Sequence, residues 1–192
     1  MRCEGLSAII KRHAMLNQIN STPQKQQAET PVQMLLDCHK RIRHFLALAQ
    51  QLATASNAPV SQLAEAARDI HRYFSISLPL HEQDENLSLH ARLRTSATND
   101  KDAEDSSNAM VIQHQTIDDV VARLLPMWER VSNDPVALGS FAQQITALTT
   151  RLAELMDGHL KLEEEQVFPA IDRCLSPEDR AQMVTEMRAR RA

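Results

Sequence analysis

His81 and Glu85, and again His159 and Glu163, stand four residues apart in a chain of 192 residues. On a helix, positions i and i+4 lie one turn apart on one face, so each pair aims an imidazole and a carboxylate at the same point. His39 and His114 stand upstream of the two pairs in turn. Each interval between these residues suits a helix, a short connection and a return helix. Four successive helices would then bring four imidazoles and two carboxylates to a common centre. That donor set suits borderline ions such as iron, manganese and zinc. A carboxylate can bridge two cations, so the expected site is dinuclear, with positions left over for a small exogenous ligand. A closed structural zinc site would need only four ligands and usually uses thiolates.

A lone histidine in an apolar helical stripe ordinarily packs in a core. Here four of them fall on the inward stripes of four successive helices. Each pair also puts a carboxylate where an apolar side chain belongs, and an unpaired buried carboxylate is costly. The other histidines lack this setting. His44 and His90 point away from the ligand stripes, His71 lies well up its helix, and His13 falls in the terminal tail. Glu164 and Glu165 read as a solvated acidic run. Asp118, four residues after His114, is placed to be an extra ligand but reads more simply as a surface aspartate beside Asp119. Cys38 sits about 100° round the helix from His39 and reads as packing.

The elements that must position these groups are legible from their ends. Thr30-Pro31-Val32-Gln33 carries an N-cap threonine, a first-turn proline and a glutamine at the third position. The first helix runs from there to about Thr54, with Leu35, His39, Ile42, Leu46, Ala49 and Ala53 inward. A turn at Ser56 to Pro59 precedes a second helix to about Arg94, with Leu63, Ala67, Ile70, Phe74, His81 and Glu85 near one face. Pro79 falls inside it, removes a backbone donor and is expected to kink the axis close to His81. Thr95 to Ser107, polar and acidic, is expected to be the longest internal loop. The third helix spans about Ser107 to Val131 with Val111, His114, Val121, Leu125 and Trp128 aligned, and Pro126 is expected to bend its last turns. Asn133-Asp134-Pro135 starts the fourth, which runs to about Gln166 along Ile145, Leu148, Leu152, Leu155, His159 and Glu163. Ser176-Pro177-Glu178-Asp179 opens a short final helix with an Arg-rich end. The expected division is a tail and linker over 1–30 that permits a short amphipathic helix, a bundle over 31–175 and a C-terminal helix over 176–192. The fold class is all-α: an up-down-up-down four-helix bundle with a short extra C-terminal helix. A weak likeness between the two His-x-x-x-Glu halves suggests a pseudo-two-fold axis through the centre.

The bulk numbers exclude other classes. With 25 acidic and 21 basic residues of mixed sign and a net charge of −4, no basic field exists for nucleic acid. No apolar run approaches the roughly 20 residues that span a bilayer. Three scattered cysteines form no C-x-x-C pair and no even framework, so a reducing cytoplasmic setting is expected. Nothing signals nucleotide binding or nucleophilic catalysis, and no catalytic residue can be named.

Asp37-Cys38-His39-Lys40-Arg41-Ile42, His81-x-x-Asp84-Glu85 and His159-x-x-x-Glu163-Glu164-x-x-x-Phe168-Pro169 resemble the hemerythrin-like, His-His-Glu cation-binding domain family over about residues 31–172. The resemblance implies a non-haem di-iron centre, oxo- and carboxylate-bridged, in which manganese or zinc could substitute. His39, His81, His114 and His159 would be terminal ligands, and Glu85 and Glu163 the bridges. It further implies that His39 and His159 share one iron, and His81 and His114 the other. The oxygen-carrying hemerythrins have a second histidine one turn along the third helix and a bridging aspartate in the fourth. Here those positions hold Asp118 and Glu163. The four-His, two-Glu set is more like bacterial hemerythrin-like proteins linked to oxygen, nitric oxide or peroxide response, and like the iron–sulfur cluster repair proteins. The latter usually carry an N-terminal domain with a cysteine pair, where this chain has Cys3. Ferritin-like bundles use Glu-x-x-His pairs instead, and none occurs at an inward position here.

The expected function is therefore a metal-binding protein whose open di-iron site binds or senses O2, NO or a related small oxidant under oxidative or nitrosative stress. The competing readings are a di-iron enzyme turning over peroxide or NO, an iron donor for cluster repair, and a regulatory module that contacts a protein partner through the Arg-rich end. Turnover would favour a nearby proton donor, for which Tyr73 and Asp118 are the candidates.

Overall fold

The structure, a computed structural model, describes residues 29–55, 57–97 and 99–192. The tail and linker expected over 1–30 lie outside the described residues, apart from Glu29 and Thr30. Helix α1 is Pro31–Thr54, α2 runs over 60–96, α3 is Lys101–Asn133, α4 runs over 138–174 and α5 is Pro177–Ala189. Thr30 caps α1 as its sequence predicts, its hydroxyl accepting from the Gln33 N–H at 3.2 Å with Pro31 opening the first turn. Ser176 does the same for α5, accepting from the Asp179 N–H at 3.1 Å. Short connections make sequence neighbours antiparallel, and α1 packs on α2, α2 on α3, α3 on α4 and α4 back on α1. The result is a closed four-helix bundle of the up-down-up-down kind, capped by α5. Among the described residues no helix is long and apolar enough to cross a membrane.

The expected loop over 95–107 is a correction: only 97–100 connect α2 to α3. Asp100 accepts from the Ala103 N–H at 3.0 Å and starts α3 six residues earlier than the composition suggests. Asp102 and Glu104 then lie in the first turn, where acidic side chains oppose the helix dipole. Ser106 and Ser107, which read as loop formers, bond the carbonyls of Ala103 and Glu104 at 3.2 and 3.1 Å and are buried. Their hydroxyls are satisfied inside the helix, so their burial costs little.

Helix α2 continues through Pro79 by widening the turn before it. Tyr73–Ser77 form a π turn in which the Leu78 N–H bonds the Tyr73 carbonyl five residues back. Helix α4 repeats the device before Pro169, with Glu163–Val167 as a π turn and the Phe168 N–H on the Glu163 carbonyl. A third π turn covers Asp84–His90. Such single-turn bulges are rare and concentrate at functional sites. Here two of the three contain Glu85 and Glu163. Pro126 is carried within the unbroken helix Lys101–Asn133.

The apolar core falls into two parts. One, at the end where α1 leads into α2, gathers Ile42, Phe45, Leu52, Ile70, Phe74, Leu124, Trp128 and Leu152. The other gathers Leu35, Leu89, Leu93, Met110, Phe168 and Ile171, and α5 adds Met183 and Met187 to it. Full burial of a methionine contributes roughly 1.5–3 kcal/mol, so these two account for much of the attachment of α5. Of the expected inward positions, Val111, Leu125 and Leu155 lie at the half-buried margins. Between the two apolar parts lies a polar layer.

Candidate metal centre

The polar layer is made of His39, His81, Glu85, His114, His159 and Glu163, all buried. Each i, i+4 pair closes on itself: His81 Nε2 is 3.3 Å from a Glu85 oxygen, and His159 Nε2 is 3.0 Å from a Glu163 oxygen. The lone histidines join them from the other two helices. His39 Nε2 lies 3.1 Å from Glu163, and His114 Nε2 lies 3.3 Å from Glu85 and 3.8 Å from Glu163. Ligand atoms of His39, His81, Glu85 and Glu163 all lie within 4.8 Å of one another, and so do those of Glu85, His114, His159 and Glu163. The two groups share both glutamates. They divide the histidines differently from the pairing that the family resemblance implies: His39 goes with His81, and His114 with His159. The rings agree, with centroids 5.3 Å apart in the first pair and 4.7 Å in the second. The reason is adjacency around the bundle, since α1 packs on α2 and α3 on α4.

The outer nitrogens of three rings are held. His39 Nδ1 donates to Glu164 at 2.7 Å, His114 Nδ1 to the Asn86 side-chain oxygen at 3.0 Å, and His159 Nδ1 to the Gln113 side-chain oxygen at 3.0 Å. An imidazole that donates from Nδ1 presents a lone pair at Nε2, the form a metal ligand needs. Arg43 in turn fixes Glu164 at 2.9 Å. Phe168 covers the face of His39 at 5.0 Å.

With Nδ1 occupied in this way, the Nε2 lone pairs face carboxylate lone pairs. Among the described residues, His39 Nε2, His81 Nε2, His114 Nε2 and all four oxygens of Glu85 and Glu163 are buried without a hydrogen-bond partner. So many enclosed acceptors converging on one point leave each other unsatisfied, and cations between them would satisfy all at once. The donor set therefore fits a pair of metal ions. Burial pushes the Glu85 carboxyl well above the usual range, with the nearby Glu163 charge adding to it. Burial also pushes Glu163 up, but the imidazoles of His114, His159 and His39 close around it outweigh this and hold it well below that range. Burial depresses His81 well below the ordinary imidazole value.

The remaining expectations fall out as follows. Asp118 is exposed and belongs to neither group. It lies beside the buried Glu82, whose carboxyl is pushed up to about 8 by burial and by Asp118. Tyr73 is buried on another face of α2, stacked on Phe45 with centroids 4.0 Å apart. Glu165 is exposed, as a solvated residue should be. Glu164 is a correction, since it holds the buried His39 imidazole. Asn86 and Gln113 were not anticipated as holders either, although each sits directly beside a member of the buried layer, Glu85 or His114, in sequence. Cys38 is buried as expected, but it borders a cavity and accepts from Arg41 at 3.0 Å. The Arg-rich end of α5, expected to face a partner, turns inward: Arg190 and Arg191 grip the fully buried Asp84 at 2.8 and 2.6 Å.

No curated protein matches the chain. The hemerythrin HHE cation binding domain family matches residues 30–171, with a second match over 106–190. Together with a bundle that gathers four histidines and two glutamates in one buried layer, this match assigns the chain to the hemerythrin HHE cation-binding domain family.

Proposed function

We propose that the protein holds two non-haem iron ions and binds or senses O2, NO or a related small oxidant at them. His39 and His81 would serve one ion, His114 and His159 the other, with Glu85 and Glu163 bridging. The observation that carries this reading is the sharing of both glutamates between two histidine pairs. Two imidazoles and a share of two carboxylates per ion leave room for a small exogenous ligand. Iron so held supplies reversible electron exchange and affinity for diatomic molecules. The chain's own part is to keep Nδ1 of three imidazoles occupied, to keep the carboxylates ready to bridge, and to seal the layer from bulk water between two apolar bodies.

Metal analysis and an optical spectrum of untagged protein, reduced and then exposed to air or to NO, test the proposal. Two irons per chain and a spectrum that responds to either gas are expected. One zinc with a silent spectrum, or no metal at all, would exclude gas binding at this layer.

A further inference from the structure

A cavity of about 370 Å³ opens beside the metal layer, lined by Cys38, Arg41, Tyr73, Ser77, Leu80 and Arg191. Its size is within the range of small-molecule pockets. No carboxylate among the described residues lines it, in a chain whose net charge is −4. Two guanidinium groups converge on it instead, Arg41 at 3.0 Å and Arg191 at 3.9 Å from the same Cys38 sulfur. Arg191 is balanced by Asp84, but Arg41 makes no ion pair among the described residues. Like charges drawn to one atom repel unless something negative lies between them.

The Tyr73 side chain supplies an independent sign of a ligand. It is 5% exposed, and its hydroxyl has no hydrogen-bond partner among the described residues. Nor does the hydroxyl count among the fully enclosed unsatisfied atoms, so the space it meets is the cavity it lines. A buried hydroxyl is costly to leave unpaired, and this one is placed to donate into the cavity. Ser77 adds a second hydroxyl and Leu80 an apolar wall.

We propose that this cavity is a binding site for a small oxyanion, of the carboxylate or phosphate class, held by Arg41 and Arg191 with a hydrogen bond from Tyr73. A guanidinium presents its N–H groups in a planar fork that matches such oxygens, and among the described residues Arg41 bonds only the Cys38 sulfur. The proposal is independent of which metal the neighbouring layer takes.

Calorimetric titration of the full-length, metal-loaded protein with inorganic phosphate, and separately with succinate, tests it at fixed ionic strength. Saturable binding of at least one of them at one site per chain is expected. Arg41→Ala should weaken it about tenfold or more, as loss of a charged hydrogen-bond partner does. Tyr73→Phe should weaken it severalfold, with metal content and helicity unchanged in both variants. Arg151→Ala, which removes an exposed arginine outside the cavity, should leave it unaltered. Absence of saturable binding by both anions overturns the proposal. So does equal binding by Arg41→Ala, which would place the anion on the metals, or equal loss in Arg151→Ala, which would mean general charge attraction.

Discussion

Each imidazole held at Nδ1 is held by a residue that directly neighbours another member of the buried His/Glu layer, on an adjacent helix. Asn86 follows Glu85 and holds His114; Gln113 precedes His114 and holds His159; Glu164 follows Glu163 and holds His39. Adjacent residues diverge by about 100° on a helix, so when one faces the centre the other faces the neighbouring helix. The arrangement runs around the bundle from α2 to α3 to α4 to α1 and stops there, since His81 Nδ1 has no partner among the described residues. Loss of such a holder typically weakens metal binding about 10- to 100-fold. Glu164→Ala and Gln113→Ala should each do so in a chelator competition, while Glu165→Ala should not. Wild-type affinity in Glu164→Ala would show that His39 needs no such support. From the sequence, Glu164 and Glu165 are indistinguishable members of an acidic run. Only the position of α1 separates them.

At the scale of elements, α5 is fastened to the turn that carries Glu85. Asp84 lies between His81 and Glu85 in sequence, is fully buried, and is paired with both Arg190 and Arg191. Ser88 and Arg92 on the same stretch of α2 bond Glu186, the serine at 2.5 Å and the arginine through two nitrogens at 3.0 and 2.8 Å. Removing one partner of a buried pair leaves the other charges uncompensated, and the arginines here keep partial contact with water. Asp84→Asn should therefore cost about 2–3 kcal/mol in urea unfolding, at or just below the roughly 3–5 kcal/mol of a fully buried pair. A cost below about 0.5 kcal/mol, the size of an ordinary surface substitution, would mean that α5 is held by Met183, Met187 and the Glu186 contacts without help from Asp84. The caps of α1 and α5 and the inward stripes were readable because they are local. The early start of α3 was not, because serine and aspartate serve a loop and a helix N-terminus equally well until the neighbours that bury them are known.

For the whole molecule, the His/Glu layer divides the core, and the buried carboxyls in and beside it make the metal-free protein sensitive to pH. Glu82, next to His81, has its carboxyl raised from 4.5 to about 8, by burial first and then by Asp118. The folded chain thus keeps a proton that the unfolded chain gives up. The stabilisation is complete below 4.5 and is lost as pH rises toward about 8. Glu85 acts in the same direction. His81, lowered from 6.5, acts oppositely but only below 6.5, where the unfolded chain binds a proton the folded one refuses. Above that point the carboxyls alone set the trend. Metal-free protein should lose stability from pH 6.5 to 8, by at most about 1.4 kcal/mol per pH unit for each proton involved. Glu82→Gln should flatten the slope in urea midpoints taken across that interval. A slope unchanged by the substitution would remove Glu82 from this role.

The helix-forming composition, the i, i+4 spacing of His81 with Glu85 and of His159 with Glu163, and the single histidines on the other two stripes are properties of the chain read one helix at a time. They are periodic and local, so the sequence alone determined four helices, an all-α bundle and the six residues of the layer. How those six divide between two groups depends on which helices touch, and the structure decided it: His39 with His81, His114 with His159. The same holds for the contacts of Asn86, Gln113, Glu164 and Asp84, and for the cavity beside Cys38. Each joins residues far apart in the chain, and no spacing rule records which face of one helix meets which face of another. The π turns belong with these. Their extra residue per turn lets α2 and α4 pass Pro79 and Pro169, and two of them carry the glutamates at the centre.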